Sequence, residues 1–371
     1  MISLSRIVAL GCVGLVACGH GGGSAGIVRV AVGSRVEVED GEERTRGVIV
    51  RDVGDGWAVV GEEAVGEDGL VDALFASQNV VWAFGNASLV RSTDAGRTWR
   101  DIVPNLPQEL REGPYVFHGL AFADASTGYL AARSVTPAGF PLDAPFVWIT
   151  RDGGDTWQAG EDLTPVSQEV GFGVAVRAGG AEMVRHPLTG ELGAVVQGFD
   201  GNAHPVETLT TIPTVIRTGI DSVGERGWVA LTVIPGDDFV QSRPLILTSE
   251  RPGEPWIPQV VPDVLAHDFG NLDMCDARIG VAGGANLVPT FRPVVFWTAN
   301  GGAEWELSTL APLDGEGIVT DVTCVAEDEL WVIAGGTGLK SDDGGRTFAR
   351  ADVSAGAPSV LLGLASNAAF R

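Results

Sequence analysis

Lysine is almost missing from this chain. Lys340 is the only one in 371 residues, and the 24 basic residues stand against 48 acidic ones, a formal net charge of -24. A chain this acidic repels phosphate backbones, which excludes nucleic acid as a partner. It leaves a solvated acidic surface, or a carboxylate-rich face for a cation or a basic partner. The five histidines are scattered, with no metal-ligand spacing. There is no Gly-x-Ser-x-Gly, no phosphate-binding loop and no dinucleotide glycine pattern. Long helical periodicity is absent too. What is plentiful is glycine, 52 residues, with 20 prolines, a balance that predicts many short strands and many turns. Hydrophobic residues make up 45% of the chain, enough for one closed β architecture of this length.

The first residues read as a targeting segment. Arg6 gives a minimal basic start, and Ile7 to Ala17 is apolar but too short to span a bilayer. The run Leu15-Val16-Ala17-Cys18 resembles the lipobox of bacterial lipoproteins. That resemblance implies a signal peptide over 1–17, a lipidated Cys18 as the mature first residue, and a membrane held through the lipid. Gly19 stands where an inner-membrane retention signal carries Asp, so a cell-envelope location at the outer membrane is expected. Residues 18–26, glycine-rich, form a flexible tether.

A repeat organises the remainder, 27–371, as one domain. Ser92-Thr93-Asp94-Ala95-Gly96-Arg97-Thr98-Trp99 recurs as Thr150-Arg151-Asp152-Gly153-Gly154-Asp155-Thr156-Trp157 and as Ser341-Asp342-Asp343-Gly344-Gly345-Arg346-Thr347-Phe348. A variant keeps Thr298, Asn300, Gly302 and Trp305. A decayed copy keeps Ser249, Gly253 and Trp256, with Arg251 in the Asp slot. An early copy has Asp52, Gly54 and Trp57. The pattern predicts a hairpin turn: the Asp carboxylate accepts N–H bonds from the turn, the Gly supplies a positive φ, and the Trp returns into the sheet. The Asp slots fall at 52, 94, 152, 251, 300 and 343, with gaps of 42, 58, 99, 49 and 43 residues. The gap of 99 is two periods with one turn lost near residue 200. Seven units of propeller-blade size follow, with six or eight as the alternative counts.

These turns resemble the Asp boxes, or BNR repeats, of sialidase-like propellers. The arrangement along residues 40–371 is similar to propellers related to the photosystem II assembly factor family. The resemblance implies an all-β, seven-bladed β-propeller with four-stranded antiparallel blades. It does not carry a photosynthetic role. Nor does it carry sialidase activity, which needs a late tyrosine nucleophile and an arginine cluster: the only tyrosines are Tyr115 and Tyr129, both early. The C-terminal phrase Leu362-Gly363-Leu364-Ala365 matches an inner strand but no turn follows it. The expectation is therefore a shared blade, with 359–371 supplying inner strands and 46–60 outer ones. Residues 27–40 alternate as a strand with no assigned place.

Asp72, Asp221, Asp273 and Asp321 each stand where an inner strand begins, so they are candidates for a carboxylate ring at the channel mouth that takes Ca²⁺ or a basic peptide. The other reading is that each caps a local turn. Cys275 and Cys324 fall on inner strands of consecutive units, as a disulfide or as two buried thiols. Trp57, Trp99, Trp157, Trp256 and Trp305 close turns, and Trp82, Trp148, Trp228, Trp297 and Trp331 lie on strands; all ten read as core. Loops at 134–146, 198–212 and 284–293 are the expected specificity elements. The leading functional expectation is a monomeric, non-catalytic, envelope-anchored binding or scaffold propeller for a protein or glycan, without a resident cofactor. The alternative is a glycoside hydrolase of the Asp-box propeller type, whose signature would be two carboxyls converging across a cleft.

Overall fold

The computed structural model describes residues 27–366, apart from 40–41, 55, 67, 136–145, 161–168, 178–179, 188–194, 200–202, 210–213, 235–240, 287–289, 314–316 and 354–359. The lipobox, Cys18 and the tether lie outside these residues, as do 136–145, 200–202, 210–212 and 287–289 of the three long loops singled out above; of the rest, Ala203–Thr208 is a strand, and 284–286 and 292–293 belong to strands.

The chain forms a seven-bladed β-propeller of antiparallel sheets. Blade 1 runs from the inner strand Leu70–Phe75 through Val81–Gly85 and Leu89–Ser92 to the outer strand Arg100–Asp101. Blades 2 to 6 begin at Tyr115–Phe122, Glu169–Arg177, Thr214–Val223, His267–Met274 and Val319–Cys324. Blade 7 joins the two ends of the chain. Its inner strand is Val360–Ser366, and Arg29–Glu39, Glu42–Asp52 and Trp57–Val60 complete it. The shared blade is thus present, but its division differs from expectation. The C-terminal segment supplies one strand and the N-terminal segment three, and residues 29–39, which had no place, form the second strand through pairs such as Ala31 with Leu364.

Each blade has both faces covered by neighbours, so the core is a set of slabs between blades. Trp82, Phe84, Phe122, Leu130 and Trp157 pack between blades 1 and 2. Ala31, Val50, Trp331 and Leu364 pack between blades 6 and 7, and Val30, Ile49, Leu70 and Phe75 between blades 7 and 1. This explains why the second strands read as unbroken apolar runs rather than alternating ones: all residues of Gly128–Ser134 and Leu330–Ala334 are buried. The outer strands of blades 1, 2, 4 and 5 are two-residue, exposed segments such as Gln158–Ala159 and Glu306–Leu307. Short, polar edges of this kind resist edge-to-edge pairing. Beyond its own outer strand, blade 5 sends Thr309–Leu310 in parallel against Thr347–Ala351 of blade 6, which ties consecutive blades at the rim.

Blade 3 explains the missing repeat. Its third and fourth strands, Val195–Phe199 and Ala203–Thr208, are paired as far as Phe199 and Ala203, which leaves no room for the eight-residue turn of blades 1, 2, 5 and 6.

Candidate functional site

Two sets of aspartates dominate the polar architecture, at opposite radial ends of the blades. The outer set builds the repeat turns. Asp94 Oδ1 accepts from the backbone N–H groups of Arg97 and Thr98 at 2.9 and 2.8 Å, and its Oδ2 accepts from the Thr98 hydroxyl at 2.7 Å. Ser92 Oγ accepts the Gly96 N–H at 2.9 Å. Asp152 with Thr156 and Asp343 with Thr347 repeat the arrangement. Asn300 retains the Oδ1 half, accepting the Glu304 N–H at 3.0 Å. Burial pushes Asp94 up, but the Thr98 N–H and hydroxyl, the Ser92 hydroxyl and the Arg97 N–H outweigh it and hold the carboxyl below its usual range. Asp152 and Asp343 are lowered in the same way. Asp52 differs: among the described residues its Oδ1 accepts only the Gly54 N–H of the turn, at 2.8 Å, and its Oδ2 pairs with Arg29 at 2.7 Å.

The turns are also joints between blades. Each reaches the first hairpin of its own blade, as when the Ala95 N–H donates to Asn79 O at 2.8 Å and the Gly301 N–H to Arg278 O at 2.7 Å. Each then presses its second positive-φ residue against the preceding blade. Gly154 has φ +86°, and a Cβ there would overlap the Trp82 indole of blade 1. A Cβ at Gly345 would lie 2.7 Å from that of Trp297 of blade 5. Trp228 of blade 4 donates from Nε1 to Gly301 O of blade 5 at 2.9 Å. Eight of the ten tryptophans are buried as expected; Trp57 and Trp256, which close the early and the decayed turns, are only half-buried.

Sequence reasoning missed a set of arginines that clasp the next blade. Arg51 donates from Nε to Ala95 O at 2.7 Å, and Arg91 donates to Gly153 O and to Asp155. At the decayed turn, Arg177 of blade 3 takes over. It donates to Glu225 O at 2.6 Å and Ser249 O at 3.0 Å, pairs with Glu182, and lies 5.3 Å from the Trp256 ring centre. The available signal was an arginine on a strand otherwise buried on both faces. The same holds in blade 2 for Arg133, which donates to His118 Nε2 at 3.3 Å. Burial first, and the Arg133 charge second, push His118 down to about 3, so it stays neutral.

The inner set is Asp72, Asp221, Asp273 and Asp321. The structure brings them into one arc, but on two levels. Asp221 and Asp273 lie opposite Trp228 and Val281, whereas Asp72 and Asp321 lie opposite Phe84 and Ile333, one pleat nearer the strand start. The common slot read from the sequence is therefore corrected. So is the open mouth: Asp221 is 0% exposed, Asp72 and Asp273 are each 5% exposed, and Asp321 is half-buried. Nor do they simply cap their own turns. Asp221 Oδ2 accepts the Met274 N–H of blade 5 at 2.7 Å, Asp273 Oδ2 accepts the Cys324 N–H of blade 6 at 2.6 Å, and Asp321 Oδ2 accepts the Leu364 N–H of blade 7 at 2.7 Å. Asp72 Oδ1 accepts the adjacent Ala73 N–H at 2.7 Å. Among the described residues, no group of three or more His, Cys, Asp or Glu side chains has the arrangement to hold a metal ion. Burial raises Asp221 well above its usual range, with the Asp273 charge adding to it, and burial pushes Asp273 up to about 7. Asp321 is raised by burial and by the charges of Asp72 and Asp273.

Beside this arc, Cys275 and Cys324 form a disulfide between blades 5 and 6, with Cα atoms 5.1 Å apart. Of the two readings left open, the bonded one is the structure's.

No protein-family model matches the chain. No curated protein matches it either. Solved structures do. A YCF48 structure bound to D1 peptide is 19% identical over 78% of this chain and 83% of that one, with a TM-score of 0.52. A GH74 enzyme of Niastella koreensis is 15% identical over 92% of this chain and 54% of that one, at 0.56. An ulvan lyase of polysaccharide lyase family PL25 is 10% identical over 87% and 92%, at 0.52. At these identities the likeness extends to the fold alone, and the fold that this chain shares with them is the β-propeller.

Proposed function

We propose that this chain is a non-catalytic binding or scaffold propeller, held at the bacterial cell envelope through lipid on Cys18, that takes a protein or glycan ligand at one end of its channel and on the loops of that face. The carrying observation is the use to which its carboxyls are put. The outer aspartates of the full repeat turns, Asp94, Asp152 and Asp343, are taken up by turn donors. Of the inner ones, Asp221, Asp273 and Asp321 lie between blades and are bound to backbone N–H groups of the neighbouring inner strand, and Asp72 accepts the N–H of Ala73 beside it. A glycoside hydrolase needs two carboxyls facing a sugar across a gap of roughly 5–9.5 Å, one of them able to reach the glycosidic oxygen. Carboxyls with raised pKa values inside a propeller are ordinarily a reason to suspect catalysis. Here the raised pair is closed off from any substrate. A peptide ligand agrees with the YCF48 likeness, where that propeller carries D1 peptide.

The test is a pulldown from envelope extract with the chain beginning at Cys18, beside a glycan array and a reducing-end assay on the glycans retained. A specific protein or glycan that is held and left intact supports the reading. Release of new reducing ends would replace it with the hydrolase. Fatty-acid labelling that survives in Cys18→Ser would remove the anchor from the proposal.

A further inference from the structure

The inner carboxyls do more than fill space. Between blades 4 and 5, Asp221 Oδ2 holds the Met274 N–H, while its Oδ1 is buried with no hydrogen-bond partner among the described residues. The neighbour with which Asp221 interacts directly is Asp273, itself spent on the Cys324 N–H of blade 6. Asp321 completes the series on Leu364 of blade 7, and the Thr323 hydroxyl donates to Leu364 O at 2.6 Å beside it. Leu364 belongs to the C-terminal strand that closes the ring. Three consecutive blade junctions, including the closing one, are therefore each spanned by one carboxylate-to-backbone bond.

Among the described residues, no positive charge is found acting on this series. The groups acting on Asp221, Asp273 and Asp321 are one another, Asp72 of blade 1, and backbone N–H donors. The second strands of blades 5 and 6, Gly280–Asn286 and Leu330–Ala334, and the inner strand of blade 7 contain no charged residue. On blade 4's other side, Arg177 is engaged by Glu182 and Ser249, and Arg226 stacks on Trp228. On the inner strand of blade 5, His267 lies beside Asp268. Neighbouring buried carboxyls hold on to a proton to higher pH than isolated ones, and the arrangement that satisfies Asp221 Oδ1 is a proton carried there toward Asp273.

We propose that Asp221, Asp273 and Asp321 form a proton-operated latch, which locks blades 4 to 7 when the carboxyls share protons and loosens those junctions when the last shared proton leaves. A carboxyl whose folded pKa is raised contributes stability that is fully present below its unfolded value, near 4, and that is lost as pH rises through the folded value. With Asp273 at about 7, its share of the loss runs from about pH 4 to about pH 7 and is complete above that. His118, held neutral by burial, acts in the opposite sense at acid pH. The informative quantity is thus the difference between variant and parent, in which the His118 contribution cancels.

The experiment is thermal unfolding of the whole chain and of Asp221→Asn between pH 5 and 8.5. The variant's Tm relative to the parent is expected to rise by on the order of 5 °C across that range, since an amide cannot ionise. Asp273→Asn is expected to do the same, and keeps the test open if the first variant folds poorly. Hydrogen exchange, corrected for intrinsic rate, reads the latch itself: the Met274, Cys324 and Leu364 amides should lose protection toward pH 8.5 in the parent and keep it in Asp221→Asn. Parallel Tm curves, or protection that does not change with pH, would overturn the proposal. So would stabilisation by added Ca²⁺ at pH 8.5 in the parent alone, because a metal and not a proton would then occupy the site.

Discussion

The outer and inner aspartates do one structural job, accepting backbone N–H bonds, under opposite electrostatic conditions. An outer aspartate such as Asp94 has three donors on Oδ1 and a fourth on Oδ2, stays partly solvated, and is held below its usual pKa. An inner one such as Asp221 crosses to the next blade through a single strong bond, is fully buried beside another carboxyl, and is raised. The difference teaches that the number of donors relative to burial, not the residue type, decides whether a carboxyl ties a fold best as an anion or with a shared proton. It also locates the two dependencies on pH at opposite ends of the blades.

The largest expected effect comes from the inner end. Removing the crosslink with Cys275→Ser and Cys324→Ser opens a loop with a sequence separation of 49 residues. The chain-entropy estimate puts the loss at about 4 kcal/mol. Denaturant unfolding should show it, and reduction of the parent chain should release two more thiols than are titrated in the unreduced, denatured protein. An unchanged thiol count would show two free cysteines and remove this junction's advantage over the others.

The next test sets an intact outer turn against the decayed one. Gly154 and Gly253 both have positive φ, +86° and +78°, but a Cβ at Gly154 meets Trp82 while one at Gly253 meets nothing within 4 Å. Gly253→Ala should lose about 1 kcal/mol from the backbone alone. Gly154→Ala adds a collision with a buried indole and should lose about 3 kcal/mol. Equal losses would mean that the turns do not seat on the preceding blade and serve only their own hairpin.

Asp94→Ala then isolates the outer carboxylate. Losing the donors' common acceptor should reduce stability by about 1–2 kcal/mol, in the manner of a lost cap. Because the folded pKa of Asp94 is lowered, its contribution is present above the unfolded value near 4 and is lost as pH falls through the folded one. The parent should therefore lose more stability between pH 5 and pH 3 than Asp94→Ala does, opposite in sign to the inner aspartates. A variant with the parent's acid limb would erase the distinction between the two sets.

Much of this is legible in the sequence. Each full turn carries its own chemistry within eight residues, so Asp94, Asp152 and Asp343 announce themselves, and their spacing counts the blades. The inner strands announce less. Asp221 and Asp72 look equivalent in the sequence because each precedes an aromatic-led strand, but pairing places them one pleat apart. A register set by bulges, such as that between Leu70 and Asp72, has no local marker. The clasping arginines were illegible for a related reason: Arg177 finds its partners in Glu225 and Ser249, some 48 and 72 residues onward, and only the closed ring makes them neighbours.

The smallest expected effect tests how completely the outer turns are optimised. Two consecutive residues with positive φ stand at the centre of each of the eight-residue turns of blades 1, 2, 5 and 6, and at the first of the two, blades 2, 5 and 6 have Gly153, Gly301 and Gly344. Blade 1 has Ala95 there, at φ 59°. A left-handed conformation costs an L-residue roughly 1–2 kcal/mol, and the extra freedom of glycine in the unfolded chain returns about 0.5–1 of that. Ala95→Gly should therefore stabilise the protein by about 0.5–1 kcal/mol, seen as a higher denaturation midpoint with an unchanged slope. The N–H that Ala95 donates to Asn79 O and the carbonyl that accepts from Arg51 are backbone groups and survive the change. A loss of stability instead would mean that the Ala95 methyl, buried at 4% exposure, contributes more through packing than its backbone strain removes. The turn of blade 1 would then be held by side-chain contact where the turns of blades 2, 5 and 6 are held by glycine.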